Sequence, residues 1–201
     1  MKIRDLMVTD PITIPISASI TDAIELMKTN SIRHLPVVGT DNILRGFVTL
    51  SDLKQGLIPS MLSDMNLTDL LIVDPITVGP DDDIEIAAQL IYKHKISGMP
   101  VIQNNRLVGI ITESDILRAF IDMMGILTAS SRIDVVIQDE PGAFKEALQI
   151  INDSGGDIIN VGMASQQTSN RTYYFRLAAC KTIVIQNALE QGGYEVLNAM
   201  D

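Results

Sequence analysis

Threonine and aspartate recur three residues apart at two places in this 201-residue chain, Thr49-x-x-Asp52 and Thr112-x-x-Asp115. Each Thr closes an apolar, strand-like stretch (GFVT, GIIT) and each Asp stands at the mouth of a helical one. Such a junction exposes unpaired backbone N–H groups and the positive end of a helix dipole, which suit an anion. A Thr hydroxyl can donate to a phosphate, and an ionised Asp can accept two hydrogen bonds from a vicinal diol such as ribose. The other reading is local: Ser51 and Asp52, or Ser114 and Asp115, cap their own helices. No Ser-His-Asp or Cys-His set, Walker or dinucleotide glycine pattern, or paired-acid pattern accompanies them, so the residues favour a binding protein over an enzyme. Cys180 beside Lys181 reads as a small core-edge residue, with no metal-ligand spacing around it.

The elements that position these residues are written twice. IRDLMVTDPITI (Ile3 to Ile14) returns as LTDLLIVDPITV (Leu67 to Val78), and RHLPVV (Arg33 to Val38) returns as SGMPVI (Ser97 to Ile102). GFVTLSDL (Gly46 to Leu53) returns as GIITESDI (Gly109 to Ile116), and the offset holds at 63 or 64 residues throughout. A duplication in fixed register implies two copies of one supersecondary unit, each burying an apolar face against its twin. In each copy an extended stretch after Asp-Pro leads to a helix, then two strands joined by a polar turn (GTDN, QNNR), then a closing helix. Thr21 or Asp22 is expected to cap the first helix and Asp82 or Asp83 its counterpart. The segment from Gln55 to Met65 reads as a variable connection.

The repeat stops near Gly125, and a loose junction, TASSR (Thr128 to Arg132), precedes a new pattern. Ile133 to Ile137 reads as a strand, and the turn DEPG opens a helix with Pro141 in its first turn and a stripe of Phe144, Ala147, Leu148 and Ile151. Strands at Ile158 to Met163 and Tyr173 to Leu177 flank the loop SQQTSNR. A helix from Ile183 to Leu189 and a strand from Tyr194 to Leu197 follow. The chain is thus α+β: two β-α-β-β-α units packed as a pseudo-two-fold pair (1–58 and 66–127), then a ferredoxin-like β-α-β-β-α-β domain (132–201).

A hydrophobic content of 46% and a mean hydropathy of +0.23 describe a globular chain. No apolar run approaches the ~20 residues that span a bilayer, and MKIRDLMVTD meets charge too early for a signal peptide. A single cysteine makes no internal disulfide, and a cytoplasmic protein is expected. The net charge of −10 argues against a nucleic-acid partner. The one basic cluster, Lys93, His94 and Lys95, reads as the solvated end of a helix.

The repeated unit resembles a CBS domain, and the pair a CBS tandem (Bateman module). The Asp-Pro-Ile-Thr stretches, the LPVV and MPVI strands and the GFVTLSD and GIITESD ends carry the resemblance over residues 1 to about 125. It implies two clefts for adenine nucleotides (AMP, ADP or ATP) or adenosyl compounds such as S-adenosylmethionine, bound as regulatory ligands with no obligatory cofactor. By that resemblance Asp52 and Asp115 hold ribose hydroxyls, Thr49 and Thr112 face the phosphate, and the backbone around Thr13 and Thr77 meets the base. Arg33 and His34 in one copy, and Ser97 and Gly98 with the adjoining Met99 in the other, point into the clefts, which are therefore expected to differ. Arg118 either reaches a phosphate or neutralises Asp115.

The C-terminal segment resembles an ACT domain, with Glu140, Gly142 and Ala143, or Asp157 to Asn160, as candidate amino-acid contacts. The whole layout is similar to the acetoin-utilisation regulatory family. It implies a homodimer, with Met61, Met65, Met123 and Met124 as candidate interface residues, that regulates an enzyme partner. A partner-binding module with vestigial clefts is the alternative.

Overall fold

The computed structural model describes residues 1–39, 41–55, 66–127, 130–164 and 170–201. Met61, Met65 and most of the connection and loop expected at 55–65 and 165–171 lie outside them. The chain divides into two units, 1–117 and 118–201.

In the first repeat a 3-10 turn (Ile3–Asp5) precedes β1 (Val8–Thr9), β2 (Ile14–Pro15), α1 (Ile20–Thr29), β3 (His34–Val38), β4 (Leu44–Thr49) and α2 (Leu50–Gln55). Helix α1 starts one or more residues before the expected caps. Ser19, extended at φ −83° and ψ 163°, accepts a hydrogen bond from the Asp22 amide, and Asp22 Oδ2 accepts from the Ser19 amide at 3.0 Å. Thr21 and Asp22 already have helical roles; the reciprocal pair is a capping box, which needs its cap outside the helix. Ile20, Ala23, Ile24 and Met27 form the buried stripe of α1 and pack in one cluster with Leu35, Val37 and Val48.

The second repeat has a 3-10 turn (Leu67–Leu70), α3 (Ile84–His94), β5 (Gly98–Gln103), β6 (Arg106–Thr112) and α4 (Glu113–Met123). Asp83 is the N-cap of α3, and its side chain makes no capping bond. Asn104 and Asn105, at φ 50° and 63°, close the β5–β6 hairpin in the left-handed region that two-residue hairpin turns require.

The repeats are not closed on themselves. Strand β1, from the first repeat, pairs antiparallel with β6 of the second (Val8 opposite Ile110), giving a sheet of order β1-β6-β5. Reciprocally, Ile72 pairs with Phe47 on β4 through two backbone bonds of 3.1 and 2.9 Å, at the edge of the sheet β2-β3-β4. Glycine makes room for both crossings. A Cβ on Gly109 would stand 2.7 Å from Met7 Sδ, and one on Gly46 would stand 2.4 Å from Leu71 Cγ. Ion pairs of Lys2 with Asp83 and of Arg4 with Asp81 fasten the same N-terminal segment to the start of the second repeat's helix.

The second unit takes in the end of α4 and continues with β7 (Ser130–Gln138), α5 (Ala143–Asp153), β8 (Ile158–Met163), β9 (Asn170–Ala178), α6 (Thr182–Gln191) and β10 (Glu195–Met200). The order β-α-β-β-α-β is the one expected, and the strands form one antiparallel sheet, β10-β7-β9-β8. Ile133, Val135, Ile137, Phe175 and Leu177 meet Ala147, Ile151, Ile185 and Leu189 of the two helices in a separate core. Three local boundaries differ from the expectation. Strand β7 begins at Ser130, inside the supposed junction, because its ladder with β9 extends to Ala178. Pro141 precedes α5, whose N-cap is Gly142 at φ +97°. The last strand begins at Glu195 and continues to Met200. Among the described residues no helix is long and apolar enough to cross a membrane.

Candidate functional site

Two clefts in the first unit are built from matching sequence positions. The first, about 310 Å³, is walled by Val8, Asp10, Pro11 and Ile12, by Ser31 to His34 with Pro36, and by Ile110, Thr112, Ser114 and Asp115. The second, about 390 Å³, is walled by Ile72, Asp74, Pro75 and Ile76, by Lys95 to Gly98, and by Phe47, Thr49, Ser51 and Asp52. Pro36 apart, advancing the first set by one repeat, and moving its Ile110–Asp115 corner back by one, gives the second. Each cleft therefore takes its Asp-Pro segment and one strand end from one repeat and its Thr-x-x-Asp corner from the other. Both volumes fall in the range of small-molecule sites, about 300–1,000 Å³.

The Thr-x-x-Asp corners are caps, and the carboxylate keeps an oxygen to spare. Thr49 Oγ1 donates to Asp52 Oδ2 at 2.6 Å, the Thr49 amide donates to the same oxygen at 3.2 Å, and Thr49 Oγ1 accepts from the Asp52 amide at 3.3 Å. Thr112 and Asp115 repeat the pattern at 2.6, 2.8 and 3.4 Å. A hydroxyl has one hydrogen to give. It goes to the aspartate in both copies, so each threonine fixes its aspartate. The Oδ1 atoms take no part in the caps, which makes them the acceptors each corner offers its cleft.

The walls differ at the strand ends. Arg33 and His34 belong to the first cleft, where Arg33 approaches Glu113 at 3.9 Å. His34 is 7% exposed, stacks on Phe47 with centroids 5.9 Å apart, and shares a hydrogen bond of 2.6 Å between Nε2 and Ser97 Oγ. Burial first, then the Arg33 cation, holds its imidazole below the usual range against the opposing pull of Glu113, Asp115 and Asp52. In the second cleft the equivalent positions are Ser97 and Gly98, and Lys95 is the basic residue of its wall.

Residues 3–58 and 67–122 match the CBS domain model. The chain belongs to the CBS domain family. Among curated proteins its CBS pair is 37% identical over 114 residues to the homoserine O-acetyltransferase of Methanocorpusculum labreanum, covering 56% of this chain and 23% of that one. The chain thus spans about a quarter of the length of such relatives. Among solved structures, the CBS domain pair of protein MJ0100 in complex with 5′-methylthioadenosine and S-adenosyl-L-methionine is 30% identical, with a TM-score of 0.56 over 60% of this chain and 95% of that one. A putative acetoin utilization protein (AcuB) from Vibrio cholerae is 32% identical, with a TM-score of 0.57 over 63% and 94%. CBSX2 in complex with AMP is 26% identical, with a TM-score of 0.54 over 60% and 96%.

In this CBS pair the clefts gather Arg33, His34, Thr49, Asp52, Ser97, Gly98, Thr112 and Asp115 of the expected residues. Four others fall elsewhere. Thr13 and Thr77 do not line the clefts, whereas Ile12 and Ile76, one position earlier, do. Met99 is wholly buried in the core because side chains alternate across the sheet, placing Gly98 and Met99 on opposite faces. Arg118 belongs to the second unit, 84% exposed, with its Nε 4.0 Å from Asp122. Lys95 escaped notice as a helix end. It is that end, at φ +56° with its ammonium 4.3 Å from the Tyr92 ring centroid, and also a wall of the second cleft. The Asp-Pro pairs at 10–11 and 74–75 read as turns, although their repetition was the available signal.

In the second unit Glu140 and Ala143 join Glu146 and Tyr194 around a polar cleft of about 390 Å³. Tyr194 Oη donates to the Ala143 carbonyl at 2.9 Å. Gly142 is the helix cap, and Asn160 lies apart, beside Arg132, Tyr174 and Arg176.

Proposed function

We propose that this chain is a non-catalytic regulatory protein whose CBS clefts sense an adenine nucleotide (AMP, ADP or ATP) or another adenosyl compound such as S-adenosylmethionine. One observation carries the reading: two clefts with corresponding walls each hold an aspartate whose Oδ2 is fixed by a Thr and whose Oδ1 is left to a ligand. Asp115 and Asp52 accept from ribose hydroxyls in the first and second clefts. Arg33 meets phosphate in the first and Lys95 in the second, while Ile12 and Ile76 offer apolar walls to the base. The complexes of related CBS pairs with AMP and with S-adenosyl-L-methionine support the ligand class. Ligand acts by favouring one arrangement of the two repeats over another. Residues 1–58, 66–127 and 132–201 are the working domains of a cytoplasmic homodimer that controls an enzyme partner.

A second reading has one observation of its own. The polar cleft at Glu140, Ala143, Glu146 and Tyr194 supports it, since Glu140 and Ala143 are among the amino-acid contacts expected from the ACT resemblance of residues 132–201. Here the CBS clefts are vestigial and serve partner binding.

Thermal denaturation with AMP, ADP, ATP, S-adenosylmethionine and a set of amino acids separates the two. A nucleotide at a hundred times its dissociation constant adds about 2.7 kcal/mol and raises the melting temperature by several degrees. Asp52→Ala and Asp115→Ala should each remove the part of that rise due to their own cleft. A rise with amino acids alone transfers the sensing role to the second unit.

A further inference from the structure

His34 touches both clefts. Its ring is a wall of the first, yet its Nε2 is bonded to Ser97 and its face lies on Phe47, both walls of the second. Across the pseudo-two-fold relation its counterpart is Gly98, and a Cβ there would meet His34 Cδ2 at 3.4 Å. One large side chain thus occupies space that two equivalent residues would share. Backbone bonds reinforce the junction: Leu50 N donates to the Arg33 carbonyl at 2.9 Å, and Glu113 N donates to the Ser97 carbonyl at 3.0 Å.

We propose that the His34–Ser97 pair links the two clefts, so that a change at the His34 side of the first is transmitted to Ser97 and Gly98 in the second. The chemistry is a reversal of hydrogen-bond polarity. A neutral imidazole nitrogen can accept the Ser97 hydroxyl hydrogen, whereas an imidazolium can only donate. With the neutral ring in its Nδ1–H tautomer Nε2 is that acceptor, and protonation then turns the Ser97 oxygen into the acceptor and frees its hydrogen for another partner. By reciprocity, a ligand that engages the Ser97 hydroxyl in the second cleft changes what His34 presents in the first. The charged groups facing His34 are Arg33 beside it, Glu113 and Asp115 on α4, and Asp52 on α2. Arg33 opposes a second positive charge and the three carboxylates favour it, so an anion neutralising Arg33 in the first cleft would ease protonation of His34.

The proton arm of the test needs no ligand. A pH titration of the free full-length protein, labelled at histidine Cε1 and the backbone amides, should show His34 titrating below the ordinary imidazole value of 6.5. The Ser97 and Gly98 amides should move with the His34 midpoint, and His34→Gln should abolish that movement. Ser97→Ala should displace the His34 midpoint. Ser97 and Gly98 signals that stay still while His34 titrates overturn the link.

The second arm adds AMP and rests on the ligand reading above. Binding at one cleft should change affinity at the other by about fivefold or more, the usual span for coupled sites, and Ser97→Ala should reduce that factor toward one. Two AMP sites that bind independently in the wild type also overturn the link. If neither AMP nor any of the other adenosyl compounds binds, the adenosyl reading fails while the proton arm still decides the link.

Discussion

Because burial holds the His34 imidazole low, the folded chain takes up its proton less readily than the unfolded chain does. The stability tied to neutral His34 is complete above the ordinary imidazole value of 6.5 and declines as pH falls through it toward the folded value. The carboxyls of Asp22, Asp83 and Asp201 work in another window. The Ser19 hydroxyl, Lys2, and the amide and hydroxyl of Thr182 hold them below their ordinary 3.8, so what they contribute is lost only as pH falls past that value. Melting temperatures followed by circular dichroism from pH 7.5 to 5 should therefore drop more for the wild type than for His34→Gln. Parallel curves would show that the imidazole does not govern this range. The Thr-x-x-Asp pairs were legible as a site because the sequence repeats them. The direction of their hydrogen bonds was not, since type and spacing do not say which partner receives a hydroxyl's only hydrogen.

At the level of elements, the α-helix before each hairpin and the hairpins themselves were readable from apolar spacing and turn residues. The two-residue strand β1 and the bridge at Ile72 were not, because so short a segment carries no periodicity and its partner lies about a hundred or twenty-five residues away. The repeated glycines were the trace they left. Gly46 and Gly109 accommodate Leu71 and Met7 at distances no Cβ tolerates. Gly46→Val and Gly109→Val should each cost about 1–3 kcal/mol by overpacking, read as a lower urea midpoint. Either variant should also weaken ligand response in the cleft beside it, since Met7 precedes Val8 of the first cleft and Leu71 precedes Ile72 of the second. An unchanged midpoint in both would mean the crossing segments yield without cost.

For the whole molecule, the separate core of the second unit implies a stability ledger of its own. Ile151 is wholly buried among Ile133, Phe175 and Leu189 of the second unit, and Ile151→Ala should cost about 2–5 kcal/mol there. Calorimetry should show a transition assigned to that unit moving down while any AMP-dependent transition keeps its response. If the AMP response falls with it, the units unfold as one.

The exchange of leading segments between the repeats has a consequence for how this protein could be divided. A piece ending at residue 58 carries Val8 to Ile12, Arg33 and His34, and also Phe47, Thr49 and Asp52. Those are parts of both clefts and the whole of neither. A cut there breaks both clefts at once, so the two repeats form one structural module, while the wall of each cleft can still change one side chain at a time.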